Sequence, residues 1–275
     1  MFSPYYRRAL KQGHCAGADD HCAINVCLYG PRGKCWTMTE RGARHVRRSR
    51  DDFAVGPSRV HWDGQALRID VDERCTPFPR AVRGRITVHP EALSTHRQAL
   101  DAAGLHHWGP IAPSARIEVA LQAPAMRWSG HAYLDSNDGD EPIERGFRRW
   151  DWLRAPLDGG SCGVVYDVQP LHGDDRLVAV RFNRDGTAAP LEVPASHGLP
   201  AAPLWRIDRR VRSGAAAVPP RVLRTLEDTP FYARSLLRLS LEGREREAVH
   251  ETLDTARLVQ PVVQGMLPFR MPRRT

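Results

Sequence analysis

Ala66-Leu-Arg-Ile-Asp-Val-Asp72 follows two residues after Asp63-Gly64 and from Leu67 on changes character at every step. A period of two puts Leu67, Ile69 and Val71 on one face of an extended chain and Arg68, Asp70 and Asp72 on the other, the pattern of a half-buried β-strand. Asp-Gly supplies the positive φ that a tight hairpin needs. The same chemistry recurs outward in both directions. Cys22-Ala-Ile-Asn-Val-Cys-Leu-Tyr29 stops at Gly30-Pro31, and Arg85-Ile-Thr-Val88, Ala115-Arg-Ile-Glu-Val-Ala-Leu121 and Met126-Arg-Trp-Ser-Gly-His-Ala-Tyr133 follow. The second half continues with Cys162-Gly-Val-Val-Tyr-Asp-Val168, Leu177-Val-Ala-Val-Arg-Phe182, Leu204-Trp-Arg-Ile207 and Ser235-Leu-Leu-Arg-Leu-Ser-Leu241, with Asp185-Gly186 as a further turn. Helical periodicity is nearly absent, and only residues 90–104 and 241–250 leave room for a short helix.

Many short strands at intervals of ~8–15 residues point to an all-β protein built as antiparallel barrels or sandwiches. A closed barrel of about eight strands encloses room for one small elongated ligand. The 275 residues allow one large domain or two modest ones and bury a core without disulfides or metal. Residues 151–160, with Pro156 and two glycines, are the expected boundary between two β units; no internal repeat is visible.

Composition excludes several classes. With 41% hydrophobic and 26% charged residues the chain is globular rather than disordered. Mean hydropathy is −0.47, and no apolar stretch approaches the ~18–20 residues of a membrane-spanning helix. The start, Met1-Phe2-Ser3-Pro4-Tyr5-Tyr6-Arg7-Arg8, lacks the pattern of a secretory signal. Net charge is +8, and Lys11 and Lys34 are the only lysines among 40 basic residues. The excess of arginine reads as coding bias or as a face for phosphates, and no nucleic-acid-binding signature accompanies it. Cys15, Cys22, Cys27, Cys35, Cys75 and Cys162 form no Cys-x-x-Cys pair and are expected as reduced thiols in a cytoplasmic compartment. His14 and His21 lie beside four of them, yet the paired spacing of a structural zinc site is missing; Cys22 and Cys27 are expected to fill an apolar strand.

The densest run of unusual residues is Trp128-Ser-Gly-His-Ala-Tyr133-Leu-Asp135-Ser-Asn137-Asp138-Gly139-Asp140-Glu141-Pro142, followed by Phe147-Arg-Arg-Trp150-Asp151-Trp152. Strand alternation puts Tyr133 and Asp135 on one face. Facing an apolar interior, the carboxyl would keep its proton at neutral pH and could act as an acid. The same letters also spell a polar turn. His106 and Trp108 are likewise spaced by two; an indole face stabilises a cation, though a core tryptophan beside a surface histidine pair is the simpler alternative.

Several longer strings carry a resemblance. His21-Cys-Ala-Ile-Asn-Val-Cys-Leu-Tyr-Gly-Pro-Arg-Gly33, Trp36-Thr-Met-Thr-Glu-Arg-Gly42, Val60-His-Trp-Asp-Gly64, the run from Tyr133 to Pro142, Phe147–Trp152 and Met266-Leu-Pro-Phe-Arg-Met-Pro-Arg-Arg274 resemble the acyclic carotenoid 1,2-hydratase (hydroxyneurosporene synthase) family in order along nearly the whole chain. The resemblance implies two lipocalin-like antiparallel β-barrel units, expected at 1–150, with the catalytic motifs, and at 151–275. It also implies addition of water to the terminal C1=C2 bond of acyclic carotenes such as neurosporene or lycopene, in the carotenoid biosynthesis of a photosynthetic bacterium. Family members usually carry an upstream Trp- and Tyr-rich segment; the expectation is a first barrel short of its N-terminal strand, or a start placed too far downstream. Asp138 stands where similar proteins often have an aromatic or basic residue, and is expected to raise the proton affinity of Asp135.

The resemblance carries catalytic roles onto His106, Trp108, Tyr133 and Asp135. Hydrating an unactivated alkene needs a proton before water can attack, so the expected assignment is Asp135 as donor, Trp108 as cation-stabilising face, Tyr133 as orienting phenol and His106 as the group that positions or deprotonates water. No metal or organic cofactor is expected. The expected partners are an acyclic carotenoid, water and an anionic membrane surface, without nucleic acid, and the expected location is cytoplasmic and peripheral to the inner photosynthetic membrane. The tail from Phe269 to Arg274 is the expected touching point. Two other readings remain open: a non-catalytic lipocalin-like carrier of hydrophobic ligands, and a two-barrel polyene cyclase or isomerase.

Overall fold

The computed structural model describes residues 2–14, 17–30, 33–192, 195–214 and 219–274, and these form an all-β protein with short helices at the margins. The chain makes two compact units that are interleaved in sequence. Unit 1 comprises residues 1–90, 116–132 and 264–275, and unit 2 comprises 91–115 and 133–263.

In unit 1, helix α1 (Pro4–Lys11) precedes a hairpin of β1 (Val26–Gly30) and β2 (Gly33–Thr37), then β3 (Glu40–Arg41). Strands β4 (Val46–Arg48), β5 (Asp52–Val55), β6 (Ser58–Trp62), β7 (Leu67–Arg74) and β8 (Ala81–Pro90) form an antiparallel meander. The turn between β6 and β7 uses the residues expected of it. Asp63 Oδ1 accepts from the backbone N–H groups of Gln65 and Ala66 at 2.9 and 2.7 Å, and Gly64 takes φ +94°. Ile69 and Val71 pack inward with Val55, Val82, Val119 and Leu121. The inward face ends on a charge: Glu73 is buried and accepts two hydrogen bonds from Arg41 at 3.0 and 2.9 Å and one from Ser58 at 2.9 Å. A buried carboxylate is tolerated only when paired in this way.

Beyond the short β9 (Gln98–Ala99), the long strands β10 (His106–Ala123) and β11 (Ala125–Gly139) each run from one unit into the other. In unit 2, α2 (Ile143–Gly146) leads into β12 (Phe147–Pro156), β13 (Cys162–Pro170), β14 (Arg176–Phe182) and β15 (Ala188–Pro190). A small pair, β16 (Ala195–Leu199) and β17 (Arg209–Ser213), is followed by β18 (Arg221–Asp228), β19 (Tyr232–Leu241) and β20 (Arg244–Asp254). The main sheet has the order β15-β14-β13-β12-β20-β19-β18. Leu153, Ala155, Val165, Leu237, Leu239 and Leu241 form its core. Helices α3 (Thr255–Leu258) and α4 (Pro261–Arg270) and the strand β21 (Arg273–Arg274), paired in parallel with β3, end the chain. Both main sheets are open paths among the described residues rather than closed barrels.

Four expectations change. Residues 90–104 hold no helix, because their backbone is engaged sideways: the N–H of Glu91 donates to Ser114 and that of Ser94 to Ile111, at 3.0 and 2.9 Å. Residues 241–250 are the β19–β20 turn and the following strand, where Glu242 and Gly243 take φ +51° and +70°. Leu204–Ile207 is no strand: the N–H groups of Leu204 and Trp205 donate to the Asp228 carboxylate and Arg206 has φ +54°. Residues 151–160, expected between two units, lie inside unit 2, where the first six belong to β12. Cys22, Cys27, Cys35, Cys75 and Cys162 are free thiols, with Cys75 in the unit 1 core and Cys22 and Cys35 packed against it; Cys15 lies outside the described residues.

Candidate active site

The run from Asp135 to Gly139 is extended, not a turn; β11 continues through it. Extension keeps Tyr133 and Asp135 on one face, and both meet Trp108 of β10, all within unit 2. The Trp108 indole N–H donates to Asp135 Oδ2 at 2.8 Å, and the Tyr133 hydroxyl donates to the same oxygen at 3.1 Å. Trp108 is fully buried, whereas Tyr133 and Asp135 keep part of their surface exposed.

Electrostatics follow from that placement. Burial pushes the Asp135 carboxyl above the usual carboxylate range. The Trp108 and Tyr133 hydrogen bonds pull it back in part, and the negative charge of Glu251 adds to the rise. Burial also pushes the Tyr133 phenol up, helped by the Asp135 charge, so it remains a donor. Asp138 does not play the part expected of it. Its carboxylate is exposed and held by the Arg97 guanidinium at 2.9 and 2.6 Å, while Glu251 supplies the charge that acts on Asp135.

An aromatic wall extends from Trp108. Its ring lies 5.8 Å from Tyr166 and 6.0 Å from Phe182; Tyr166 lies 6.0 Å from Trp150, and Trp150 5.6 Å from Phe147. Tyr133 packs at a tilt against Trp152, centroids 5.7 Å apart, with the Arg154 guanidinium 5.7 Å from its ring. The faces of such rings stabilise positive charge. Phe147, Trp150 and Trp152 stand in a run conspicuous in the sequence; Tyr166 and Phe182 sit in ordinary strand patterns and carry no signal of their own.

His106 is at the far end of this wall, with its ring 4.6 Å from Phe147. It is buried, makes no hydrogen bond to Asp135, and is held by Asp101, whose carboxylate lies 2.8 Å from Nδ1. The structure thus joins Trp108, Tyr133 and Asp135 directly and connects His106 to them through rings. Among the described residues no group of three or more His, Cys, Asp or Glu side chains is arranged to hold a metal ion. His21 instead joins Glu40, at 2.8 Å from Nδ1, and Arg273. Asp101 gives no sign in the sequence, because its partners are backbone groups and a ring five residues on.

This chain matches a family model described as carotenoid hydratase CrtC over residues 1–275. A Rubrivivax gelatinosus protein named acyclic carotenoid 1,2-hydratase is 52% identical over 275 residues, which span all of this chain and 67% of that protein. A Thiocapsa roseopersicina protein of the same name is 49% identical over 273 residues, 99% of this chain and 67% of its own length. One from Rhodobacter capsulatus is 38% identical over 276 residues, covering 100% of this chain and 95% of that protein. A crystal structure of a protein assigned as AttH, from Nitrosomonas europaea, superposes with a TM-score of 0.57 at 12% identity, covering 84% of this chain and 80% of the other. That likeness concerns the fold alone. Matched from end to end, the chain belongs to the carotenoid hydratase family.

Proposed function

We propose that this protein adds water to the terminal C1=C2 double bond of an acyclic carotene by acid catalysis, as a hydro-lyase without metal or organic cofactor. The observation that carries the reading is the convergence of the Trp108 and Tyr133 donors on one oxygen of Asp135, whose carboxyl burial pushes above the usual carboxylate range. With both donors on Oδ2, that oxygen acts as the carbonyl of the neutral acid and Oδ1 carries the proton. Transfer of that proton to C2 uses the alkene π electrons and leaves the O–H electron pair on the carboxylate. The two hydrogen bonds strengthen as negative charge develops on Asp135, which favours the transition state over the ground state. The tertiary cation at C1 is stabilised by ring faces, Trp108 first among them. Water then forms the C1–O bond, and its surplus proton passes to His106 and returns through solvent to Asp135.

A C40 hydrocarbon is drawn from a bilayer, so peripheral contact with an anionic membrane belongs to the same proposal. No helix among the described residues is long and apolar enough to cross a membrane. The test is incubation with neurosporene or lycopene in liposomes, followed by mass analysis. A product heavier by one water supports hydration. An isomer of unchanged mass selects cyclisation or isomerisation, and bound but unaltered carotene selects a carrier. Asp135→Asn is expected to lower turnover by about 100-fold or more, within the range of general acid catalysis; wild-type turnover in a folded Asp135→Asn protein removes Asp135 from the role of donor.

A further inference from the structure

Asp101 stands apart from the cluster around Asp135, and its bonding is unusually complete. Oδ1 accepts from the Leu105 backbone N–H at 3.0 Å, and Oδ2 accepts from the His106 backbone N–H at 2.8 Å while lying 2.8 Å from His106 Nδ1. The Asp101 carbonyl in turn accepts from Arg176 at 3.2 Å. Burial raises the proton affinity of Asp101, but the N–H donors of Leu105 and His106 outweigh it and hold the carboxyl below its ordinary range. An ionised carboxylate cannot donate, so the hydrogen between the two groups sits on Nδ1 and a neutral imidazole has its lone pair on Nε2.

The ring has no freedom to turn. A Cβ on Gly146 would lie 2.5 Å from His106 Cε1, and one on Gly139 would lie 2.7 Å from Cδ2. Two glycines therefore form a slot that the ring fills, closed by Phe147. Nε2 is buried in that slot without a hydrogen-bond partner among the described residues, on a side chain only 4% exposed.

We propose that Asp101 is a positioning residue for hydration, which locks His106 in the tautomer whose Nε2 takes the proton of the attacking water. This inference rests on the hydratase reading above. Asp101→Asn tests it: with the amide oxygen kept on the Leu105 N–H, the NH2 group replaces Oδ2, gives up the bond from the His106 N–H, and donates to Nδ1, which moves the imidazole hydrogen to Nε2. The expected result is a fall in kcat of about 100-fold or more with KM within about twofold, the scale of general-base catalysis, in a variant that stays folded at a lowered thermal midpoint, since the carboxylate that the N–H donors stabilise is gone. Nitrogen-15 NMR of His106 is expected to show Nδ1–H in the wild type and Nε2–H in the variant. A kcat within about threefold of wild type overturns the proposal, as does a neutral His106 protonated on Nε2 in the wild type, a measurement that does not depend on the variant folding. A wild-type protein that yields no hydrated carotene defeats the hydratase reading instead, and the NMR result separates the two failures.

Discussion

At Asp135 burial and Glu251 favour the neutral acid, while the Trp108 indole and Tyr133 phenol favour the carboxylate. The balance determines the pH at which the proposed donor is loaded. Activity is expected to hold at low pH and to fall as pH rises through the raised Asp135 pKa. Tyr133→Phe removes a stabiliser of the anion and is expected to move that alkaline limb upward, whereas Glu251→Gln removes a negative charge and moves it downward. Opposite displacements in kcat–pH profiles check the assignment. The stability linkage has its own sign. An acid whose folded pKa is raised contributes stability in full below the unfolded value of ~3.9 and loses it as pH rises through the folded value. Asp135→Asn is therefore expected to melt no lower than wild type at alkaline pH, which thermal denaturation reads directly. The Tyr133–Asp135 pair was legible because strand period is two. Trp108, which hydrogen-bonds the same oxygen from another strand, became a candidate through spacing to His106 and family resemblance; Asp101 had neither.

Elements explain what local pattern could and could not convey. Strands such as β7 and β19 were legible because burial imposes alternation, and the Asp63-Gly64 turn was legible because few residues accept its backbone geometry. The stretch at 90–104 was ambiguous, since its conformation depends on pairing with backbone more than ten residues away. Helix α1 lies where no helical periodicity shows, and its signal is in its start: Ser3 caps it, accepting from the Tyr6 N–H at 2.9 Å, with Pro4 in the first turn. The interleaving of the units was not legible at all, because β10 and β11 show in the sequence only as shorter strand-like runs and nothing in their alternation marks where one unit gives way to the other. The glycine slot around His106 belongs to this scale: α2 ends on Gly146, where a side chain would occupy the ring's space. Gly146→Ala is expected to cost ~1–3 kcal/mol, as overpacking does, and to slow turnover by displacing His106. Gly198→Ala in β16, where an added Cβ meets nothing within 4 Å, is expected to remain within about 0.5 kcal/mol of wild type. Parallel melts of the two variants check the contrast.

For the whole molecule the proposed function requires that a protein with net charge +8 reach a hydrocarbon dissolved in a membrane. Unit 1 presents a surface suited to it. Phe78 and Phe269 are 77% and 75% exposed, which is unusual for phenylalanine, and Met266 is exposed as well. The segments carrying them meet: the Thr76 hydroxyl and Trp36 indole N–H both donate to the Arg270 carbonyl, at 2.9 and 3.1 Å, and the Arg270 guanidinium lies 4.9 Å from the Trp36 ring. Residues 33–36, 74–80 and 264–274 contain no acidic residue, and they include Lys34, Arg74, Arg80, Arg270, Arg273 and Arg274. Apolar tips on segments that carry basic and no acidic residues match an anionic bilayer surface, where each basic residue contributes ~1 kcal/mol and aromatic rings insert among the headgroups. Arg273 is partly committed elsewhere, through its ion pairs to Asp20 and Glu40, so the remaining cations carry most of the attraction. Flotation with phosphatidylglycerol-containing vesicles is expected to recover the protein at roughly 0.02 M salt and to lose it at about 0.5 M, where the screening length falls below ~5 Å. Replacing both Phe78 and Phe269 with serine is expected to weaken binding at low salt without lowering the thermal midpoint, since neither ring is part of the core. Binding that is indifferent to salt and to both rings would remove this surface from the route by which the substrate enters.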